Sequence, residues 1–280
     1  MNKKAFLSVL TGSIIAGLTG LFIKNISVPA SSIAFVRTAL PTVVLGLWMF
    51  HRGLSFFRGN YPRMLLASTL NAIRMYLFLV AYVYTTITQA VIMLFTWPIF
   101  VNIISSIWLK EKISTRQVFI LALAFLGIVI IYSEQPFSLD NRDFLGMSAG
   151  IVSALFYSIS YVIYKSEIQN YHRNEVIFYQ NLVGGVLFIP LIFINTPVPN
   201  TQDIVLMSGY AFLMGIVIFN FFFYGLKYLN ASQASLINYV EILGAVSVGI
   251  IFTNDNITAN ILIGGLFIIS SISMVRYIKN

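Results

Sequence analysis

The stretch SQASLINYVEILGA (Ser232 to Ala245) sets a carboxylate, Glu241, in the middle of a run that otherwise suits lipid. An earlier stretch, TQAVIMLFTWPIFV (Thr88 to Val101), opens on nearly the same letters but has Trp97 where the glutamate falls. An offset of 144 aligns Thr88-Gln89-Ala90 with Ser232-Gln233-Ala234, and it also pairs Glu111 with Asp255, Ile113 with Ile257 and Ser114 with Thr258. Near the start of each half, FVR (Phe35 to Arg37) lies against FYQ (Phe178 to Gln180) at an offset of 143. The chain therefore reads as two repeats, 1–135 and 136–280, joined through the polar loop SEQPFSLDNRDF (Ser133 to Phe144).

Both copies sit in a chain of 280 residues that is 58% hydrophobic and only 9% charged. Soluble domains carry about 25% charged residues. Ten apolar runs fall at roughly 5–23, 33–50, 63–84, 86–108, 116–132, 144–164, 174–194, 204–226, 232–252 and 258–277. Each has about the length needed to cross a hydrocarbon core of about 30 Å. The expected fold is an all-α polytopic membrane protein with ten transmembrane helices in two five-helix repeats. Barrel strands are shorter and alternate in polarity, which these runs do not. The first run, after Asn2-Lys3-Lys4, reads as a span and not as a cleaved leader, because it is long and no small-x-small site follows it. The chain has no cysteine, which excludes disulfides and thiolate chemistry. Its two histidines, His51 and His172, fall at loop edges, so neither a metal site nor a cofactor is expected.

The net charge of +8 has a distribution that speaks of topology. With the N-terminus on the cytoplasmic side, that side holds Lys3, Lys4, Arg52, Arg58, Arg63, Lys110, Lys112, Arg116, Lys165, Arg173, Lys227, Arg276 and Lys279. The opposite side holds Lys24 and Arg142 with the acids Glu134, Asp140, Asp143, Asp203 and Asp255. Such a bias places both termini in the cytoplasm and argues against a nucleic-acid surface. Five spans per repeat is odd, so the second repeat enters the membrane from the opposite side. Inverted repeats of this kind are the layout of many secondary transporters, whose sites lie near mid-membrane. Low alanine with high isoleucine, asparagine and lysine points to an AT-rich genome and a prokaryotic inner membrane.

The first half reads FIKN…FVRTALP…AYVYTTITQAVIMLFTWPIF…WLKEKISTRQV…GIVII. It resembles the EamA repeat of the drug/metabolite transporter superfamily. The matching positions are Lys24 ending the first span, Arg37 opening the second, the joint Tyr82 to Thr86, Pro98 inside the fourth span and Glu111 after it. The second half follows more weakly: it has the joint and Glu241, but Ile242 stands where a proline is usual and Asn254-Asp255 where a Gly-Glu is usual. The resemblance implies a carrier of small metabolites, most often amino acids or related compounds, often moved outward.

Charges deep in the bilayer are costly, about 2.5–3.5 kcal/mol each on insertion scales, so each asks for a partner or a wet cavity. Arg74 lies near the middle of the third span, on a stripe with Asn71, Phe78 and Tyr82 at helical spacing. Its fork of donors suits a substrate carboxylate, unless it pairs with Glu241 as a structural bridge. Glu241 is suited to bind an ammonium, carry a coupling proton or neutralise Arg74. Arg37, near the external end of the second span, is expected to reach the interface in a gating or architectural role, and Lys24 to mark the boundary. Trp97, Asn102, Gln180, Asn220, Asn238 and Tyr239 are candidates to line a polar cavity, and Tyr76, the mate of Asn220, to flank a planar substrate. A single polar residue of this set equally well makes an interhelical hydrogen bond.

A pseudo-symmetric pair of walls with Glu241 on one side and Trp97 on the other suits a molecule charged at both ends, such as an amino acid. The expected partners are a small-molecule substrate, the lipid bilayer and either protons or a counter-substrate; a homodimer is an allowed assembly. No Gly-x-x-x-x-Gly-Lys-Ser/Thr loop for ATP is present. The alternatives are a carrier for larger planar metabolites (nucleoside-linked amino acids or vitamin-like compounds), a membrane enzyme or a channel. The last two lack, respectively, a cluster of catalytic side chains and a ring of carboxylates or carbonyls.

Overall fold

A computed structural model describes residues 2–133, 139–193, 198–253 and 258–275, with the side chains of Lys24, Ile87, Thr88 and Thr253 left aside. Among the described residues all regular structure is helical. The first half comprises α1 (Lys3–Ala16), α2 (Thr19–Lys24), α3 (Ala30–His51), α4 (Tyr61–Tyr84), α5 (Ile87–Leu94), α6 (Trp97–Trp108) and α7 (Thr115–Tyr132). The second comprises α8 (Asn141–Glu167), α9 (Arg173–Leu187), α10 (Ile189–Ile192), α11 (Thr201–Phe212), α12 (Ile218–Tyr228), α13 (Ala231–Ile237), α14 (Val240–Thr253) and α15 (Ala259–Val275). Eight helical runs are long and apolar enough to span a membrane, and α15 is a shorter apolar helix. The seventh expected span is α9 followed by the single turn α10, which begins afresh at Pro190. The expected acids Glu134 and Asp255, Asn254 beside it, and the basic Arg276 and Lys279 lie outside the described residues.

Helix starts are met by side chains that take the free N–H groups. Ser114 with Gln117, His172 with Glu175 and Asn200 with Asp203 form reciprocal capping boxes at α7, α9 and α11. Besides the interruptions between α1 and α2 and between α9 and α10, two spans are broken at positions related by the offset of 144. One lies at Phe95-Thr96 between α5 and α6, the other at Asn238-Tyr239 between α13 and α14. The two breaks meet: the Phe95 and Tyr239 rings stack at 6.2 Å, and the Tyr239 hydroxyl donates to the Phe95 carbonyl at 3.2 Å. A carbonyl freed by a helix break needs such a partner inside a bilayer.

Close packing relies on glycine where backbones touch. A Cβ on Gly264 would stand 2.4 Å from the Gly127 carbonyl oxygen, so α7 and α15 cross with no room for a side chain. Gly17 and Gly244 make a similar approach between the first and ninth spans. Gly264→Ala is expected to destabilise the protein by about 3 kcal/mol, since the opposing atom is backbone and cannot rotate away. Gly20→Ala, with nothing within 4 Å of the added carbon, should leave the melting temperature in detergent unchanged. Equal melting temperatures for the two variants would refute this packing argument.

One end of the bundle is sealed by polar contacts; it is called the basic end below. Arg58 holds Glu175 through two bonds of 2.6 Å, and Arg63 and Asn60 both reach the Glu167 carboxylate, at 3.3 and 2.9 Å. The bond to Glu175 keeps the Arg58 guanidinium even more firmly protonated than an ordinary arginine. Every residue of α13, next to this end, is buried, none more than 1% exposed.

Candidate functional site

Arg74 projects from the middle of α4 toward a group of side chains from both halves, Arg37, Tyr157, Tyr210 and Glu241, which together define the candidate chamber. Asn71, one turn earlier, accepts from its guanidinium at 3.3 Å and is itself fixed by donating to the Gln180 carbonyl at 3.1 Å. The guanidinium lies over the Tyr157 ring at 4.4 Å, and its buried Nε has no partner. Asn71 is thus a positioning residue, and Tyr157 holds the plane of the cation while leaving donor edges free.

Arg37 points into the same chamber. The expectation that its head group reaches the interface is corrected: one of its nitrogens meets Met75 Sδ at 3.4 Å, its guanidinium lies 5.6 Å from the Phe219 ring, and it reaches the Tyr210 hydroxyl. The backbone beside Arg37 is itself irregular. Pro41 has no N–H to give the Arg37 carbonyl, four residues earlier. Opposite this point span eight makes a π-helical turn at Leu213–Val217, where Gly215 abuts Pro41 so closely that a Cβ would lie 2.3 Å from its ring.

Glu241 enters from the other half, in the first turn of α14. It is within electrostatic range of Arg74 and Arg37, yet no ion pair within 4 Å joins it to either. No donor among the described residues reaches its carboxylate at hydrogen-bond distance. The structural salt bridge considered from the sequence is therefore not formed. Tyr82, Tyr132, Tyr157 and Tyr210 all lie in range of Glu241. Tyr82, although part of this group, is 37% exposed.

The remaining expected residues divide by what they touch. Trp97 is buried behind Tyr157, edge to face at 4.8 Å, and its carbonyl accepts from Ser158 at 2.8 Å. Asn238 is committed to its neighbours: it accepts from Ser13 at 2.9 Å, donates to the Ala234 carbonyl at 3.2 Å and bonds the Tyr161 hydroxyl. Asn102 bonds Ser232 and the Pro98 carbonyl in the seal, and Tyr239 joins the two breaks. Asn220 donates to Ile216 and Asn174, and no contact brings it to the charged group. Tyr76 also stands apart: two positions from Arg74 is about 200° around the helix, and its side chain is 51% exposed.

Sequence reasoning passed over Tyr157, Tyr161 and Tyr164, although their spacing along α8 is that of one helical face. It also passed over Lys165, whose ammonium donates to the carbonyls of Leu226 and Leu229 at 2.7 and 2.5 Å. A separate groove of about 550 Å³, lined by residues such as Val43, Leu47, Phe57, Leu65 and Phe178, carries no charged side chain. Its rim is exposed apolar surface, suited to lipid tails and not to a polar substrate.

The EamA-like transporter family matches the chain twice, over residues 3–133 and 144–277. The pseudopaline exporter CntI of Pseudomonas aeruginosa (strain UCBPP-PA14) is 25% identical over 95% of this chain and 94% of its own length. An uncharacterized transporter of Archaeoglobus fulgidus is 23% identical over 95% of this chain and 93% of its own. A protein of known crystal structure aligns with a TM-score of 0.85 over 99% of this chain and 97% of its own, at 14% identity, which is a likeness of fold.

Proposed function

The chain belongs to the EamA-like transporter family, and we propose that it is a secondary carrier of amino-acid-like molecules working by alternating access between its two halves. One observation carries this reading. Arg74 from one half and Glu241 from the other face a common chamber, unpaired, with donors and acceptors to spare. Buried charges left apart in this way are suited to receive the opposite charges of a ligand. With the basic end placed in the cytoplasm of a prokaryotic cell, its polar contacts close the described conformation to the inside. The meeting of the repeat mates Phe95 and Tyr239 supports two inverted repeats moving about a common axis. The exporter among its relatives favours outward transport.

Glu241 is assigned both ammonium binding and proton coupling. In proteoliposomes loaded with unlabelled amino acids, the wild type should exchange labelled ones from outside. Glu241→Gln should lose proton-driven accumulation at least tenfold while retaining part of the exchange. Undiminished proton-driven accumulation in the folded variant would remove Glu241 from the coupling step. A second reading, a larger planar metabolite, is favoured by the number of tyrosines around the chamber.

A further inference from the structure

Resting on the reading of this chamber as the substrate site, we propose that the transported molecule is a net anion bearing two carboxylates beside its amine, with Arg37 and Arg74 each holding one carboxylate.

The charges of the chamber do not balance. Two guanidinium groups and one carboxylate lie within electrostatic range of one another. The other acids of the described residues, Glu111, Asp140, Asp143, Glu167, Glu175 and Asp203, belong to the two ends of the bundle. The donors do not balance either. A guanidinium offers five N–H groups. Arg74 spends one on Asn71 and leaves Nε without a partner; Arg37 has only a thioether and a tyrosine hydroxyl. Aromatic faces at 4.4 and 5.6 Å steady the two cations without using their in-plane donors.

A neutral zwitterion satisfies Arg74 and Glu241 and leaves the half-buried Arg37 without a counter-charge of its own. An amino-dicarboxylate closes the balance. Arginine forks are matched to carboxylates in a way an ammonium is not, which fits two such groups and not two lysines. The arrangement also fixes orientation. Both arginines belong to the first half, on α3 and α4, while Glu241 belongs to the second. The two carboxylates therefore face one half and the amine the other, so the molecule spans the seam that must shear when the halves move.

Glutamate and glutamine differ by one carboxylate at nearly constant shape, which makes them the probes. In proteoliposomes containing the full chain, the wild type should exchange labelled L-glutamate or L-aspartate at least tenfold faster than L-glutamine or L-leucine. Arg37→Gln should bring the glutamate-to-glutamine ratio close to one, and Arg37→Lys should retain part of the preference. In detergent, glutamate and not glutamine should raise the melting temperature of the wild type, a readout independent of how well the variants fold. Equal exchange of glutamine and glutamate by the wild type, or a ratio unmoved in folded Arg37→Gln, would overturn the second carboxylate and leave the chamber as a zwitterion site. If no member of either series exchanges or shifts the melting temperature, the amino-acid reading itself falls, and this inference with it.

Discussion

Arg74→Gln abolishes transport while leaving the fold intact. A charge-assisted hydrogen bond is worth about 1.5–3 kcal/mol, and a carboxylate seated on a guanidinium makes up to two of them. Loss of substrate affinity should therefore reach about a hundredfold. The stability effect should be small or favourable. Arg74 makes no ion pair, bonds only Asn71 among side chains and leaves its Nε buried without a partner. Removing such a group relieves desolvation that the protein does not otherwise offset. Arg74→Lys keeps the charge but not the planar fork, and it should fall between wild type and Arg74→Gln in affinity. The pair of readouts separates binding from architecture. If the role were structural, the melting temperature would fall together with transport; if it is substrate binding, transport falls alone. A variant that melts many degrees lower would reassign Arg74 to the scaffold.

The parts of this design that sequence could disclose are those set by local chemistry. Apolar length is a property of each segment by itself, so membrane-spanning helices were evident from the chain, and the costly charges Arg74 and Glu241 stood out against lipid. The offset of 144 aligned Phe95 with Tyr239, and the two helix breaks occur at these positions. Rotation about the helix axis was the limit. The same offset joined Tyr76 to Asn220, yet the stripe Asn71, Arg74, Phe78 and Tyr82 had already fixed which face of α4 looks inward, and Tyr76 is not on it. Arg37 was misplaced for a related reason: distance from a helix end says how deep a residue sits but not whether it turns to lipid or to the chamber. The tyrosines were hidden by abundance. The chain contains 15, and an aromatic ring costs little in a bilayer, so composition gives no reason to choose Tyr157 or Tyr210.

Glu111 shows how a residue legible as a motif can conceal its work, which depends on a partner 120 positions away. Its two carboxylate oxygens accept from the backbone N–H groups of Ala231 and Ser232 at 2.8 and 3.2 Å, the first turn of α13. Across the same joint, Lys165 takes the Leu226 and Leu229 carbonyls at the end of α12. An anion on helix N–H groups and a cation on helix carbonyls both oppose the partial charges there. Glu111, with the bonds that Ser232 donates to Asn102 and accepts from Gln117, pins the joint against the first half, while Lys165 ties it to α8, and together they close the basic end. Opening that end has to release Ser232 from α6 and α7. Glu111→Gln removes the charge and leaves one acceptor oxygen, so the closed state should lose about 1.5–3 kcal/mol. A loss of that size shifts an equilibrium by about 10- to 150-fold. The cysteine-free chain makes the shift measurable. Ser235→Cys places a thiol at a fully buried position of α13. A membrane-impermeant maleimide applied at the basic end should react with it at least tenfold faster in the Glu111→Gln background. Equal labelling rates in two folded proteins would show that Glu111 is a helix cap and not a latch. Because α13 leads through the break at Asn238-Tyr239 directly into the turn that carries Glu241, a substrate drawn onto Glu241 pulls on the element that the latch holds. Added substrate should therefore change the labelling rate at Ser235→Cys, and it should do so only where Arg74 is intact.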